Sequence, residues 1–116
     1  MVCRPTEQEA KDYFQYYVEE NADWEGADRL MKGLVAHSKI FPPEVQDQLR
    51  TQMAAGHGSY ALIGTPRQVA DKIIALSETG FVGTTISFVD YIKEFPYFRD
   101  EVLPLLEEAG IRKPRK

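Results

Sequence analysis

GTPRQVADKIIALSETGFVGTTISF, residues 64–88, decides how this chain can fold. Thr65 suits an N-cap, Pro66 the first helical position, and Gln68 completes a T-x-x-Q capping box. Val69, Ala70, Ile73 and Leu76 then recur on one face at helical spacing. Gly80 stands where a left-handed cap ends a helix. Residues 84–89 carry no charge and are rich in β-branched and aromatic side chains, which predicts a strand covered on both faces. A helix leading into such a strand is half of a βαβ unit. That unit needs more parallel strands than the rest of the chain supplies.

Working outward, residues 1–4 resemble the end of a strand, and Pro5 blocks further pairing. Thr6 and Glu9 form a capping box for a first helix with Ala10, Tyr13, Phe14, Tyr17 and Val18 on its apolar stripe. A turn at 21–23 opens a second helix, with Trp24, Ala27, Leu30, Met31 and Leu34 expected inward. Residues 38–41 form a connector. Pro42 and Pro43 start a third helix carrying Val45, Leu49 and Met53. An irregular segment is expected over 54–64, with a short extended piece at 60–63 and glycines on either side of His57. After Asp90 an aromatic stretch leads into a last helix near Pro96. Its inward residues are Val102, Leu103, Leu106 and Ala109, Pro104 kinks it, and Gly110 ends it. The order predicts a helix-rich α/β fold with two or three short strands, organised as one domain. Two or three parallel strands are too few to close a sheet core.

Composition sets outer limits. The chain has 116 residues, 43% hydrophobic and 28% charged, with a net charge of −4. This is the make-up of a globular domain and argues against nucleic acid, which demands a concentrated basic face. The one basic cluster, Arg112, Lys113, Arg115 and Lys116, reads as a solvated end. No apolar run is long enough for a membrane span, and charges at Arg4, Glu7 and Glu9 exclude a signal peptide, so a cytoplasmic location is expected. Cys3 is the only cysteine, so it forms no internal disulfide. With only His37 and His57 besides, no metal-ligand spacing is present.

Residues 54–106 resemble the C-terminal end of the luciferase-like flavin-dependent monooxygenases. Ala55-Gly56-His57-Gly58-Ser59-Tyr60, then Leu62-Ile63-Gly64-Thr65-Pro66, resembles the family's glycine-rich segment and its L-[VI]-G-[ST]-P-x-x-V-A signature. Val69 to Ile73 continues that signature. Gly80-Phe81-Val82-Gly83 with Ile86-Ser87-Phe88 is similar to the last barrel strand, and Glu101 to Leu106 to the closing helix, where the family commonly carries a proline. Val2 to Ala10 resembles the end of the seventh strand and the start of the insertion after it. The resemblance implies the C-terminal part of a TIM (β/α)8 barrel: 1–5 strand end, 6–55 helical insertion, 56–64 glycine-rich loop, 65–110 helix-strand-helix. A complete barrel needs roughly 250 residues or more. The implied parent enzyme uses reduced FMN and O2 to oxidise a small organic substrate, and the piece alone is expected to be inactive and to bind no FMN.

By the same resemblance Gly56, His57, Gly58 and Ser59 belong to a segment beside a mobile loop over the active-site mouth, where His57 would help exclude water. A surface histidine between two glycines is the plainer reading of the same residues. Ser87 and Phe88 would lie at the C-terminal end of the last strand, where barrels place their chemistry. Packing explains them equally well. The N-terminus of the helix at Thr65 could hold an anion, but capping accounts for it. Cys3 reads as a packing residue. The aromatic groups at 13–17 and 95–98 read as core or oligomer contacts, and Asp23 and Asp28 as solvated carboxylates. The rival to the enzyme reading is a helical module that self-associates or binds a partner, with a homo-oligomer covering the open edge of residues 83–88.

Overall fold

The computed structural model of the protein describes residues 1–35 and 42–114. His37, the connector at 38–41 and the basic residues Arg115 and Lys116 lie outside them. The chain divides into two compact units, Met1–Tyr13 with Leu62–Lys116, and Phe14–Ala61.

The first unit is built on a two-stranded parallel sheet. Strand β1 (Val2–Cys3) pairs with β2 (Ile63–Gly64), Val2 opposite Ile63 and Cys3 opposite Gly64. Helix α1 (Glu7–Phe14) follows β1, and its capping box forms: Thr6 N–H donates to Glu9 Oε2 at 3.0 Å and Glu9 N–H to Thr6 Oγ1 at 3.2 Å. Helix α4 (Pro66–Glu78) is capped the same way by Thr65 and Gln68. Gln68 also donates to Glu7 Oε2 at 3.0 Å, which ties the two helix starts together. Val69, Ala70 and Ile73 of α4 enter a core with Cys3, Leu62, Phe98, Val102 and Leu106. Removing their apolar area from water holds this unit together.

Three expectations for this unit need correction. Residues 84–89 are not a laddered strand covered on both faces. Burial alternates from Thr85 to Val89, with Ile86 and Phe88 half-buried and Thr85, Ser87 and Val89 exposed, and Thr84 is exposed as well. Among the described residues, the hydrogen bond toward the β1 end is the Met1 nitrogen donating to Ser87 O at 2.8 Å. Strand propensity supplies a pleat, whereas a ladder needs a neighbour, and two-residue β1 offers almost none. Secondly, helix α5 (Tyr91–Glu101) starts well before Pro96, because Asp90 caps it by accepting from Ile92 and Lys93 N–H at 3.0 and 3.2 Å. Pro96 sits inside. The carbonyl it leaves unbonded belongs to Ile92, a residue 87% exposed, where water can replace the lost donor. Thirdly, Pro104 kinks no helix. The chain breaks at Val102, and Pro104 lies in the first turn of α6 (Leu103–Glu108), where no intrahelical donor is needed. Ala109, expected inward, is exposed.

In the second unit the first helix continues as a π-helical stretch, Gln15–Glu20, with Phe14 and Tyr17 edge-to-face at 5.5 Å. Helix α2 (Trp24–Val35) packs against α3 (Pro43–Gly56). Ala27 and Met31 are buried, but Leu30 and Leu34 are 47% and 50% exposed. The buried face is thus a narrow i, i+4 stripe, not the wide face expected. Arg50 of α3 binds Asp28 through Nε and Nη2 and lies over the Trp24 ring at 4.4 Å, clamping the two helices. Helix α3 also runs through Ala54 and Ala55, both placed in the irregular segment by the sequence, because alanine favours helix until a glycine stops it.

Gly64 illustrates how tightly the first unit is specified. Its φ is +151°, and a Cβ there would stand 2.6 Å from Gln68 Oε1, inside the capping box. Gly64→Ala is expected to lower the unfolding free energy by about 1–3 kcal/mol in urea denaturation. Gly83→Ala, with nothing within 4 Å of its Cβ, should stay within about 0.5 kcal/mol of the parent.

Candidate functional site

The six residues marked by the sequence fall in two places. Gly56, His57, Gly58 and Ser59 belong to the second unit and form the turn that ends α3. His57 caps the helix in the left-handed region at φ 55°, followed by Gly58 at φ 77°. Their amides are already used. His57 N–H donates to Met53 O, Gly58 N–H to Gln52 O at 3.0 Å and Ser59 N–H to Gly56 O at 3.2 Å, while Ser59 Oγ donates to Gly56 O at 2.7 Å. The turn is a helix stop with an exposed imidazole, and it offers no free amide cradle for a phosphate. Ser87 and Phe88 belong to the first unit. Ser87 is exposed, and the Phe88 ring meets Tyr91, Phe95 and Phe98 edge-to-face at 5.3, 6.1 and 5.7 Å. Phe88 therefore joins the segment to α5 as packing.

A cleft that the sequence reading missed lies at the C-terminal end of β1. It measures about 270 Å³ and is lined by Cys3, Arg4, Pro5, Lys93, Glu94 and Tyr97. Its floor is an ion pair. Arg4 Nη2 donates to Glu94 Oε1 at 2.7 Å, and Arg4 Nη1 to Cys3 O at 2.9 Å. The second oxygen of Glu94 accepts from Asp90 N–H at 2.9 Å, and the Arg4 guanidinium lies over the Tyr13 ring at 4.1 Å. Glu94 is only 7% exposed, so its charge is held by this partner set and by no water shell. The position after the strand end is where open α/β sheets commonly hold ligands. The only sequence signal was an arginine after a strand and a glutamate on an aromatic helix face, and nothing in the sequence joined the two.

The groups around the cleft favour binding over proton transfer. Burial pushes the Cys3 thiol up to about 11 despite the nearby Arg4 charge, so the sulfur stays protonated and unreactive near neutrality. Burial also raises Tyr13 and Tyr97 above the ordinary phenol value. The Lys93 N–H and side chain hold the Asp90 carboxyl below its usual range. Among the described residues no cluster of three His, Cys, Asp or Glu side chains could hold a metal ion. Also among them, no helix is long and apolar enough to cross a membrane.

The match to known proteins is local. The chain is 43% identical over 47 residues to an FMNH(2)-dependent dimethylsulfone monooxygenase of Pseudomonas fluorescens (strain Pf0-1), a stretch covering 40% of this chain and 13% of that protein. It is 45% identical over 47 residues to the enzyme of the same name from Pseudomonas putida, with the same coverage. The chain thus has a distant, partial relationship to flavin-dependent monooxygenases, and the match spans about an eighth of their length. No protein-family model matches the chain, and no solved structure does.

Three measurements probe the cleft. Arg4→Ala strands the Glu94 carboxylate and should cost about 3 kcal/mol in chemical denaturation, with Arg4→Ala/Glu94→Leu recovering a substantial part. Native Cys3 should react with a disulfide reagent at pH 8 about a hundredfold slower than in urea. Because the folded pKa is raised, the stability linked to this thiol is complete below the unfolded value. It is lost as pH climbs from about 9 to about 11, which denaturation across that range reads directly.

Proposed function

We propose that this chain is the C-terminal part of a luciferase-like monooxygenase that works with reduced FMN and O2 on a small organic substrate. The 43–45% identity to FMNH(2)-dependent dimethylsulfone monooxygenases carries the reading. The extended segment that meets Met1 through Ser87 O supports it, since a closing barrel brings the end of one strand beside the next. Under this reading residues 1–5 end a seventh strand, 6–55 are a helical insertion, 56–64 a glycine-rich loop, and 65–110 close the barrel. Reduced flavin would supply the electrons and oxygen chemistry in the parent enzyme.

The chain's own residues do not fit a whole flavin. The cleft at Arg4 is smaller than the roughly 300–1,000 Å³ that enclose a drug-sized ligand. Its guanidinium is engaged by Glu94, and the amides of the 56–59 turn are spent on their own helix. The residues of the Arg4 cleft would form one wall of a site, with Phe88 contributing shielding, and the remaining contacts would come from other strands. The chain alone therefore turns nothing over.

Two experiments separate these claims. Titrating the chain into FMN is expected to give no saturable fluorescence quenching below about 100 µM, and micromolar quenching would overturn the inactive-piece reading. Replacing the matched 47 residues of the Pseudomonas putida enzyme with this chain's should leave FMNH(2)-dependent oxidation of dimethylsulfone within about tenfold, a barrier change of roughly 1.4 kcal/mol. A folded chimera without activity would contradict the family reading.

A further inference from the structure

We infer that two copies of this chain pair through residues 84–88, antiparallel and in one register, about a twofold axis at Ile86. The inference rests on main-chain hydrogen bonding and concerns this chain by itself, where no other strand of the described residues covers the edge. No amide from Phe81 to Val89 donates a hydrogen bond within the described protein, and Ser87 O, facing Met1, is the only main-chain carbonyl of the segment bonded to another part of the chain. The alternating exposure of residues 85–89 is that of an extended segment, in which successive residues aim their N–H and C=O at opposite edges. Ser87 O faces Met1, so the groups of Thr84, Ile86 and Phe88 face the other edge.

That open edge is self-complementary. Placing Ile86 opposite Ile86 sets Thr84 opposite Phe88 and Thr85 opposite Ser87 of the second copy. The outward groups of Thr84, Ile86 and Phe88 then form the hydrogen-bonded pairs of an antiparallel ladder. Ile86 and Phe88 already lean on the core, and this register keeps both copies' apolar faces on the same side of the new sheet. Charge favours a second copy over a charged partner. Residues 79–89 carry no charge, and in this register Asp90 falls opposite Val82, so no like charges meet. The flanks are apolar and open: Phe81 is 67% exposed, Val82 fully exposed, and Val89 and Tyr91 50% and 57%. Six uncharged residues, five of them β-branched or aromatic, without proline or glycine are also what self-pairing segments share.

The test uses the exposed pair Thr85 and Ser87, which face solvent in one copy and each other across two. Sedimentation velocity of the parent chain across about 1–500 µM should show a reversible monomer–dimer equilibrium. Thr85→Lys/Ser87→Lys opposes lysines twice per dimer, whereas Thr85→Lys/Ser87→Glu opposes opposite charges twice. The second variant should associate about tenfold or more tightly than the first, with the same far-UV circular dichroism. A parent chain that stays monomeric would overturn the inference. So would two variants of equal dissociation constant, or non-discrete aggregates in place of a dimer.

Discussion

The first unit hinges on the burial of one carboxylate. Glu94 lies almost out of water, and an ionised group there survives only with its lone pairs answered. Arg4 answers one oxygen and the Asp90 amide the other. Because Arg4 is the residue after β1, the pair welds the strand end to the start of α5. Because the same guanidinium stacks on Tyr13, it also fixes α1. Asp90 is itself the cap of α5, so the helix start and the ion pair are one hydrogen-bonded assembly. The cleft lies at this assembly, with Pro5 and Tyr97 completing its lining.

A second constraint pulls the other way. The segment over 81–89 has the composition of a buried strand and the exposure of a surface loop. Its half-buried residues lean inward through Phe88 and its aromatic neighbours, while its main chain stays unsatisfied on one edge. In water those groups are solvated at modest cost, but an apolar, uncharged, pleated edge remains a template for another strand. A flavin enzyme's barrel and a second copy of the chain are two ways to meet the same physical demand.

Local chemistry was legible where neighbours in sequence settle it. The Thr6/Glu9 and Thr65/Gln68 boxes formed as the residues required, and Gly80 adopts a positive φ of 100° after α4. The buried face of α4 followed from spacing alone. Legibility failed where a distant partner decides. Leu30 and Leu34 look inward by periodicity, yet α2 buries only the Ala27–Met31 stripe. Of the candidate site, the residues of the 56–59 turn could be named from its glycines. The Arg4–Glu94 pair could not, since its members stand ninety positions apart.

The sequence by itself determined the capping boxes that start α1 and α4, the apolar stripe of α4 and the uncharged stretch at 84–89. Each depends on groups within a few residues of one another. Only the tertiary structure decided that β1 pairs with β2, that 84–89 has no ladder, that Pro96 lies within a helix and Pro104 begins one, and that a buried ion pair floors the cleft. Those outcomes turn on which surfaces meet. A strand's hydrogen bonds and a buried charge are completed by groups that proximity along the chain does not name.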